Sequence, residues 1–221
     1  MNDAELSATS RVDFDLLASR AKFARLTTLI AIGFFALTLL GELGELAGLI
    51  NLEAIELGPI ELIYSIVLLG NTASFLLSVV AISMWIHRAH STLREAGRHD
   101  LQYTPGWAVG WYFIPFANLF KPFGAMRELW SESHVAPDSY GSESPGNLGI
   151  WWGAWIIGNI LANISFRLTM MDGGASPAPI ALLLAAASSV FTIAAAWLIH
   201  GIIGSITQAQ LSNLQATSVF E

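Results

Sequence analysis

The chain has no cysteine. That absence excludes disulfides, thiolate nucleophiles and cysteine-ligated zinc or iron–sulfur centres. Charge is scarce as well: Asp, Glu, Lys and Arg make up 12% of the residues, whereas roughly a quarter of an ordinary soluble domain is charged. Only ten Lys and Arg stand against seventeen acids, for a net charge of −7. Phosphate neutralisation needs clustered cations, so nucleic acid is excluded as a partner. Motifs are missing too. There is no G-x-S-x-G, P-loop, H-E-x-x-H or dinucleotide-binding fingerprint, and no catalytic residues are assigned. The polar, acidic start MNDAELSATS lacks the basic n-region of a secretory signal, so the first apolar run is read as a retained span.

Hydrophobic residues fill the space that charge leaves. They make up 54% of the 221 residues, and the mean hydropathy is +0.57. Crossing a hydrocarbon core of about 30 Å takes about 20 residues as a helix. Four stretches qualify, at about 26–50, 60–86, 148–170 and 180–206, within a membrane domain at 26–206. The fold class is therefore an all-α integral membrane protein with four transmembrane helices. Ahead of them, Ser10 and Asp13 resemble a capping box, and Val12, Leu16, Phe23 and Leu26 fall near one helical face. Residues 11–25 are thus expected to form an amphipathic helix within a cytoplasmic segment 1–25, placing Arg20, Lys22 and Arg25 among lipid headgroups. Gly97 is expected to end a helix that continues out of the second span. Residues 131–147 are read as a polar linker and 207–221 as a frayed cytoplasmic tail.

The stretch 104–130, TPGWAVGWYFIPFANLFKPFGAMRELW, is apolar enough for a membrane but broken by Pro115 and Pro122 and charged at Lys121 and Arg127. Thr104 can cap a helix that starts at Pro105, where the missing N–H costs nothing. Trp107 and Trp111 then lie one turn apart, and Pro115 forces a bend between Pro115 and Asn118. Bent backbone cannot face lipid, so a re-entrant or interfacial helical hairpin is expected. Phe123, Met126 and Trp130 repeat near helical spacing after it, as on a surface-lying helix. The Lys and Arg bias agrees. With four spans nine of the ten cations share a side, and with a fifth span at 106–129 only eight do, so both termini are expected in the cytoplasm.

The order of Trp85 and Arg88, TPGW at 104–107, WYFIPFAN at 111–118, Lys121-Pro122 and Arg127-Glu128 resembles the bacterial multi-pass membrane family catalogued as domain of unknown function 4328. The similarity is strong over about 80–133 and extends to the flanking spans only through their hydrophobicity. It implies a bacterial inner-membrane protein with several helices and no assigned activity.

Three constellations carry candidate chemistry. Trp107, Trp111, Asn118, Lys121 and Arg127, with Arg88, form a surface suited to anionic lipid or to another membrane protein. Glu42, Glu45, Asn71, Asn159, Asn163 and Arg167 form an intramembrane polar set. Because a central Arg costs about 2.5–3.5 kcal/mol on insertion scales, Arg167 is expected to meet Glu42 or Glu45, and Asn71 to meet the asparagine face. The bland reading of this set is helix–helix glue. His87, His90 and His200 could supply two imidazoles to haem, although as interfacial histidines near helix ends they need no ligand. No cofactor is predicted. Gly44 with Gly48 and Gly149 with Gly153 have the G-x-x-x-G spacing of close helix contacts, internal or in a homo-oligomer. The leading reading is a non-enzymatic interaction, assembly or lipid-associated module. The alternatives are a small transporter or channel using the polar set, and then a haem-binding protein.

Overall fold

A computed structural model describes residues 3–52, 58–98, 100–134, 146–171 and 179–217. Helices α1 (Asp3–Leu46), α2 (Pro59–Glu95), α3 (Pro105–Gly110), α4 (Lys121–His134), α5 (Gly146–Met171) and α6 (Pro179–Thr217) account for nearly all of them, with short 3₁₀ turns at Trp111–Phe113 and Ala117–Leu119. No strand occurs among the described residues. Proline opens three of the helices, at Pro59, Pro105 and Pro179, the first helical position being the one place where its lost N–H is no loss.

Four helices, α1, α2, α5 and α6, are long and apolar enough to cross a membrane. At 1.5 Å per residue the 44 residues of α1 extend about 66 Å, twice a hydrocarbon core. The segment expected as an amphipathic helix and the first span form one continuous helix. Nothing between Ser10 and Leu26 interrupts helix formation, and α1 begins at Asp3 rather than at a Ser10 cap. It also ends four residues sooner than the expected span. Gly48 takes φ +70°, its N–H reaches the Glu45 carbonyl (2.9 Å) and the Leu49 N–H reaches that of Gly44 (2.9 Å), the bond pair of a Schellman cap. Gly48 is thus a helix stop rather than half of a packing motif. The same device closes α2, with Gly97 at φ +85°, Gly97 N–H on Arg94 (3.0 Å) and Arg98 N–H on Leu93 (3.0 Å).

The chain divides into two compact units. The first comprises Met1–Leu26, Ser78–Gly149 and His200–Glu221; the second comprises Thr27–Leu77 and Ile150–Ile199. The first has a core of large side chains: Leu17, Trp85, Leu93, Met126, Leu129, Ile203 and Ile206 are all fully buried. In the second, small residues such as Ala31, Ser74, Ala154, Ala181 and Ser188 are buried while Leu40, Ile66, Leu69, Phe166 and Trp197 are exposed. That arrangement is what helices adopt when they associate through small residues and leave bulky apolar side chains to lipid.

Its closest helix contacts use glycines other than the pairs at G-x-x-x-G spacing. A β-carbon on Gly41 would overlap the Tyr64 ring, and one on Gly70 the Phe34 ring. At Gly158 it would come within 3.2 Å of Thr192 Oγ1, and Ser188 Oγ donates to the Gly158 carbonyl at 2.9 Å. Around Gly153 there is open space.

In the expected linker 131–147, residues 131–134 are the last turn of α4 and 146–147 the first of α5. Residues 53–57, 135–145 and 172–178 lie outside the described residues.

Candidate functional site

The broken stretch folds as a helical hairpin within the first unit. Thr104 caps α3 with extended backbone, its Oγ1 accepting the Trp107 N–H at 3.3 Å. Trp107 and Trp111 then meet at 4.9 Å between ring centroids, and Lys121 Nζ lies 5.7 Å from the centre of the Trp111 ring, within cation–π range. The chain turns at Pro115–Ala117. There the Ala117 N–H reaches back two residues to the Pro115 carbonyl (2.8 Å) and Phe116 takes φ 64°. This is the strained form of γ-turn with a positive central φ. Because the backbone points them outward, Phe113, Phe116 and Phe120 are 69%, 84% and 73% exposed.

After the turn, α4 buries Pro122, Ala125, Met126, Leu129 and Ser133, a three-and-four spacing that packs it into the first unit. The expected stripe of Phe123, Met126 and Trp130 was displaced: only Met126 is fully buried, and Phe123 and Trp130 stay half-buried. Glu128 pins the segment that leads into the hairpin by accepting the N–H groups of Gln102 (2.7 Å) and Tyr103 (3.1 Å). The ring of Tyr112 is half-buried while its hydroxyl is shut off from water, and burial raises it above the usual phenol range. Arg127 is exposed and Asn118 half-buried. Arg88 is not a free headgroup anchor, because its two Nη groups fork onto Glu95 at 3.1 and 2.8 Å.

Behind the hairpin lies a polar network that the sequence did not reveal. Trp85 Nε1 donates to Thr207 Oγ1 (3.0 Å). Gln210, fully buried, donates to the Ala89 carbonyl (3.1 Å) and to Ser133 Oγ (3.0 Å), and Asn213 donates to the Ser133 carbonyl (3.0 Å). Residues 207–213 are therefore ordered helix joined to α2 and α4, where a frayed tail was expected. The available signal was the run Ile199, Ile203, Ile206 and Gln210, which continues one helical face past the apolar span.

The three histidines have different surroundings. His90 is fully buried with Nδ1 against the Ile86 carbonyl (3.0 Å), His200 Nε2 accepts from Arg25 Nε (3.3 Å), and His87 is exposed. Among the described residues no group of three or more His, Asp or Glu is arranged to hold a metal.

The intramembrane set, which belongs to the second unit, is divided. Glu42 accepts from Ser189 Oγ at 2.8 Å, while the Tyr64 hydroxyl, beside Glu45, donates to the Thr38 carbonyl at 3.5 Å. Arg167, expected to join the two glutamates, is exposed near the end of α5 and pairs with no described carboxylate. A long side chain that near a helix end can reach the interface instead. Asn159 and Asn163 turn back to the Trp155 and Asn159 carbonyls (2.8 Å each), so the Asn71 contact expected of them is also absent, and the buried Asn71 Oδ1 has no described hydrogen-bond partner.

Taken together, the fold and this site define an all-helical protein with four helices of membrane-spanning length and apolarity, carrying a Pro-broken, Trp- and Phe-rich hairpin. Residues 52–208 match the family described as Domain of unknown function (DUF4328), and the chain belongs to that family. No curated protein and no solved structure matches it.

Proposed function

We propose that this is a multi-span protein of the bacterial inner membrane, both termini cytoplasmic, whose hairpin at 104–134 is an interfacial module serving a non-enzymatic interaction, assembly or lipid-associated role. One observation carries the reading: three phenylalanines stand exposed at the strained tip, flanked by Lys121 and Arg127. In water such a patch is a liability. At a bilayer surface each ring gains about 1.5–3 kcal/mol on full burial, while flanking cations meet anionic headgroups. Orientation has its own support. Of the ten Lys and Arg, four fall in Met1–Leu26 and five in Ser78–Gly149, leaving Arg167 alone in the second unit, and cations of short loops mark the cytoplasmic side. The pathway reading has less support because, among the described residues, Arg167 and the asparagines make no hydrogen bond or ion pair with Glu42 or Glu45.

The missing cysteines make the test direct. A nitroxide on Phe116→Cys, in nanodiscs containing anionic phospholipid, should collide more with oxygen than with a water-soluble nickel chelate, and one on Asp100→Cys should do the reverse. Equal nickel access at both positions would sink the interfacial reading. In intact cells a membrane-impermeant maleimide should label Asn51→Cys and spare Asp100→Cys.

A further inference from the structure

Within the first unit, Leu16 and Arg20 of α1, the later turns of α2 and α3 line an open surface cavity of about 540 Å³, inside the roughly 300–1,000 Å³ range of small-molecule sites. Arg20, His87 and Arg88 line it, and among the described residues no carboxylate does. The two guanidiniums differ. Arg88 is held in place by Glu95, which also cancels its charge. Arg20 Nη1 donates to the Met84 thioether at 2.7 Å, and among the described residues no carboxylate pairs with it. Thioether sulfur is a weak acceptor for a group with five N–H donors. The guanidinium fork matches phosphate oxygens two at a time, which is why Arg predominates where phosphate is recognised. Leu16, Met84 and Val109 form apolar wall beside these donors, so the site suits a phosphate joined to an apolar group.

We propose that this cavity binds an anionic, phosphate-bearing amphiphile, with the phosphate on Arg20 and the adjoining His87 and the apolar stem along Leu16, Met84 and Val109. The source is either an anionic phospholipid or a soluble phosphate ester. The site goes beyond the interfacial role of the hairpin and can fail independently of it, since tip depth and cavity occupancy are read separately.

The test is calorimetric titration of the full chain, in maltoside detergent and phosphate-free buffer, with dioctanoyl phosphatidylglycerol, dioctanoyl phosphatidylcholine and phenyl phosphate. Saturable binding of phosphatidylglycerol is expected, weakened at least tenfold, or about 1.4 kcal/mol, by Arg20→Met and less by Arg20→Lys. Arg98→Gln, which removes a cation outside the cavity, should leave it unchanged. Phenyl phosphate binding with the same Arg20 dependence identifies a soluble source; its failure beside phosphatidylglycerol binding identifies lipid. The proposal is overturned if neither probe saturates, if phosphatidylcholine binds as well as phosphatidylglycerol, or if Arg98→Gln weakens binding as much as Arg20→Met. Should Arg20→Met not elute as a single folded species, Arg20→Lys and His87→Gln must each weaken binding, and wild-type affinity in both would equally overturn it.

Discussion

Replacing one glycine at a time by alanine in the second unit separates close helix approach from mere glycine content. In a helix interior the exchange by itself favours alanine by about 0.5–1 kcal/mol. At Gly33 and Gly153 the new methyl meets nothing within 4 Å, so that gain should survive. Gly158→Ala would put the methyl 3.2 Å from Thr192 Oγ1 and 3.4 Å from Phe191 Cβ, contacts that relax by a few tenths of an ångström, and its net effect should be near zero. Gly41→Ala is different in kind, because the methyl would occupy space held by the Tyr64 ring. That ring is 5% exposed and its hydroxyl donates to the Thr38 carbonyl at 3.5 Å, so it cannot swing aside without losing burial. Overpacking of this kind costs about 1–3 kcal/mol, occasionally more. Detergent-solubilised variants would be heated and the fraction still eluting as a single species measured. For a chain of this length about 1 kcal/mol moves the midpoint by about 2–4 °C, so Gly41→Ala should fall well below wild type while Gly153→Ala does not. A cycle with Tyr64→Leu locates the cause. If the Tyr64 ring is the obstacle, the double variant should recover at least about 0.5 kcal/mol relative to the sum of the single effects. Strict additivity, or a Gly41→Ala protein as stable as Gly153→Ala, would refute the reasoning.

Gln210→Leu removes two hydrogen bonds of 3.1 and 3.0 Å at about 0.5–1.5 kcal/mol each; a midpoint lowered by about 2–12 °C is expected in the same assay, and an unchanged one would count against the network. Tyr112 has its hydroxyl pKa raised by burial from 10.0, so above about pH 10 the unfolded chain releases the phenolic proton before the folded chain does, and stability must fall as pH rises. Thermal midpoints at pH 9 and pH 11 should therefore separate less in Tyr112→Phe than in wild type, and equal separation would remove Tyr112 as the cause. Phe116→Gly relieves a backbone strain of about 1–3 kcal/mol at a side chain that packs against little; it should raise the midpoint in detergent while weakening flotation with anionic liposomes, and a lowered midpoint would mean that the ring packs inward.

What was legible in the sequence was whatever a single helix decides for itself. Four apolar runs gave four long helices, Thr104-Pro105 gave a capped start, Gly97 a capped end and Pro115 a break. The readings that failed each needed a neighbour. Gly44 and Gly48 carry the spacing of a packing motif, but Gly48 is where α1 turns off, and the aromatic rings of Phe34 and Tyr64 select Gly70 and Gly41 instead. Arg167 was assigned a carboxylate on energetic grounds, yet a residue near the end of α5 has the interface as another outlet. Gln210 looked like part of a polar tail because its partners, a carbonyl on α2 and a serine on α4, lie 121 and 77 residues away along the chain. No local pattern carries that information.

The hairpin joins these two levels. Its base is costly to disturb: Glu128 holds two backbone N–H groups, and Met126 and Leu129 are fully buried. Its tip carries costs in the opposite sense, a positive φ at a non-glycine residue together with three rings facing outward. Folding of the isolated chain does not account for that combination, since glycine at 116 would remove the strain and polar residues at 113 and 120 would remove the exposure. A bilayer surface changes the balance, because burying even one ring there returns about as much free energy as the strained turn consumes. A firm base makes the gain usable: a rigid support presents the tip already extended, so insertion does not also have to order the hairpin.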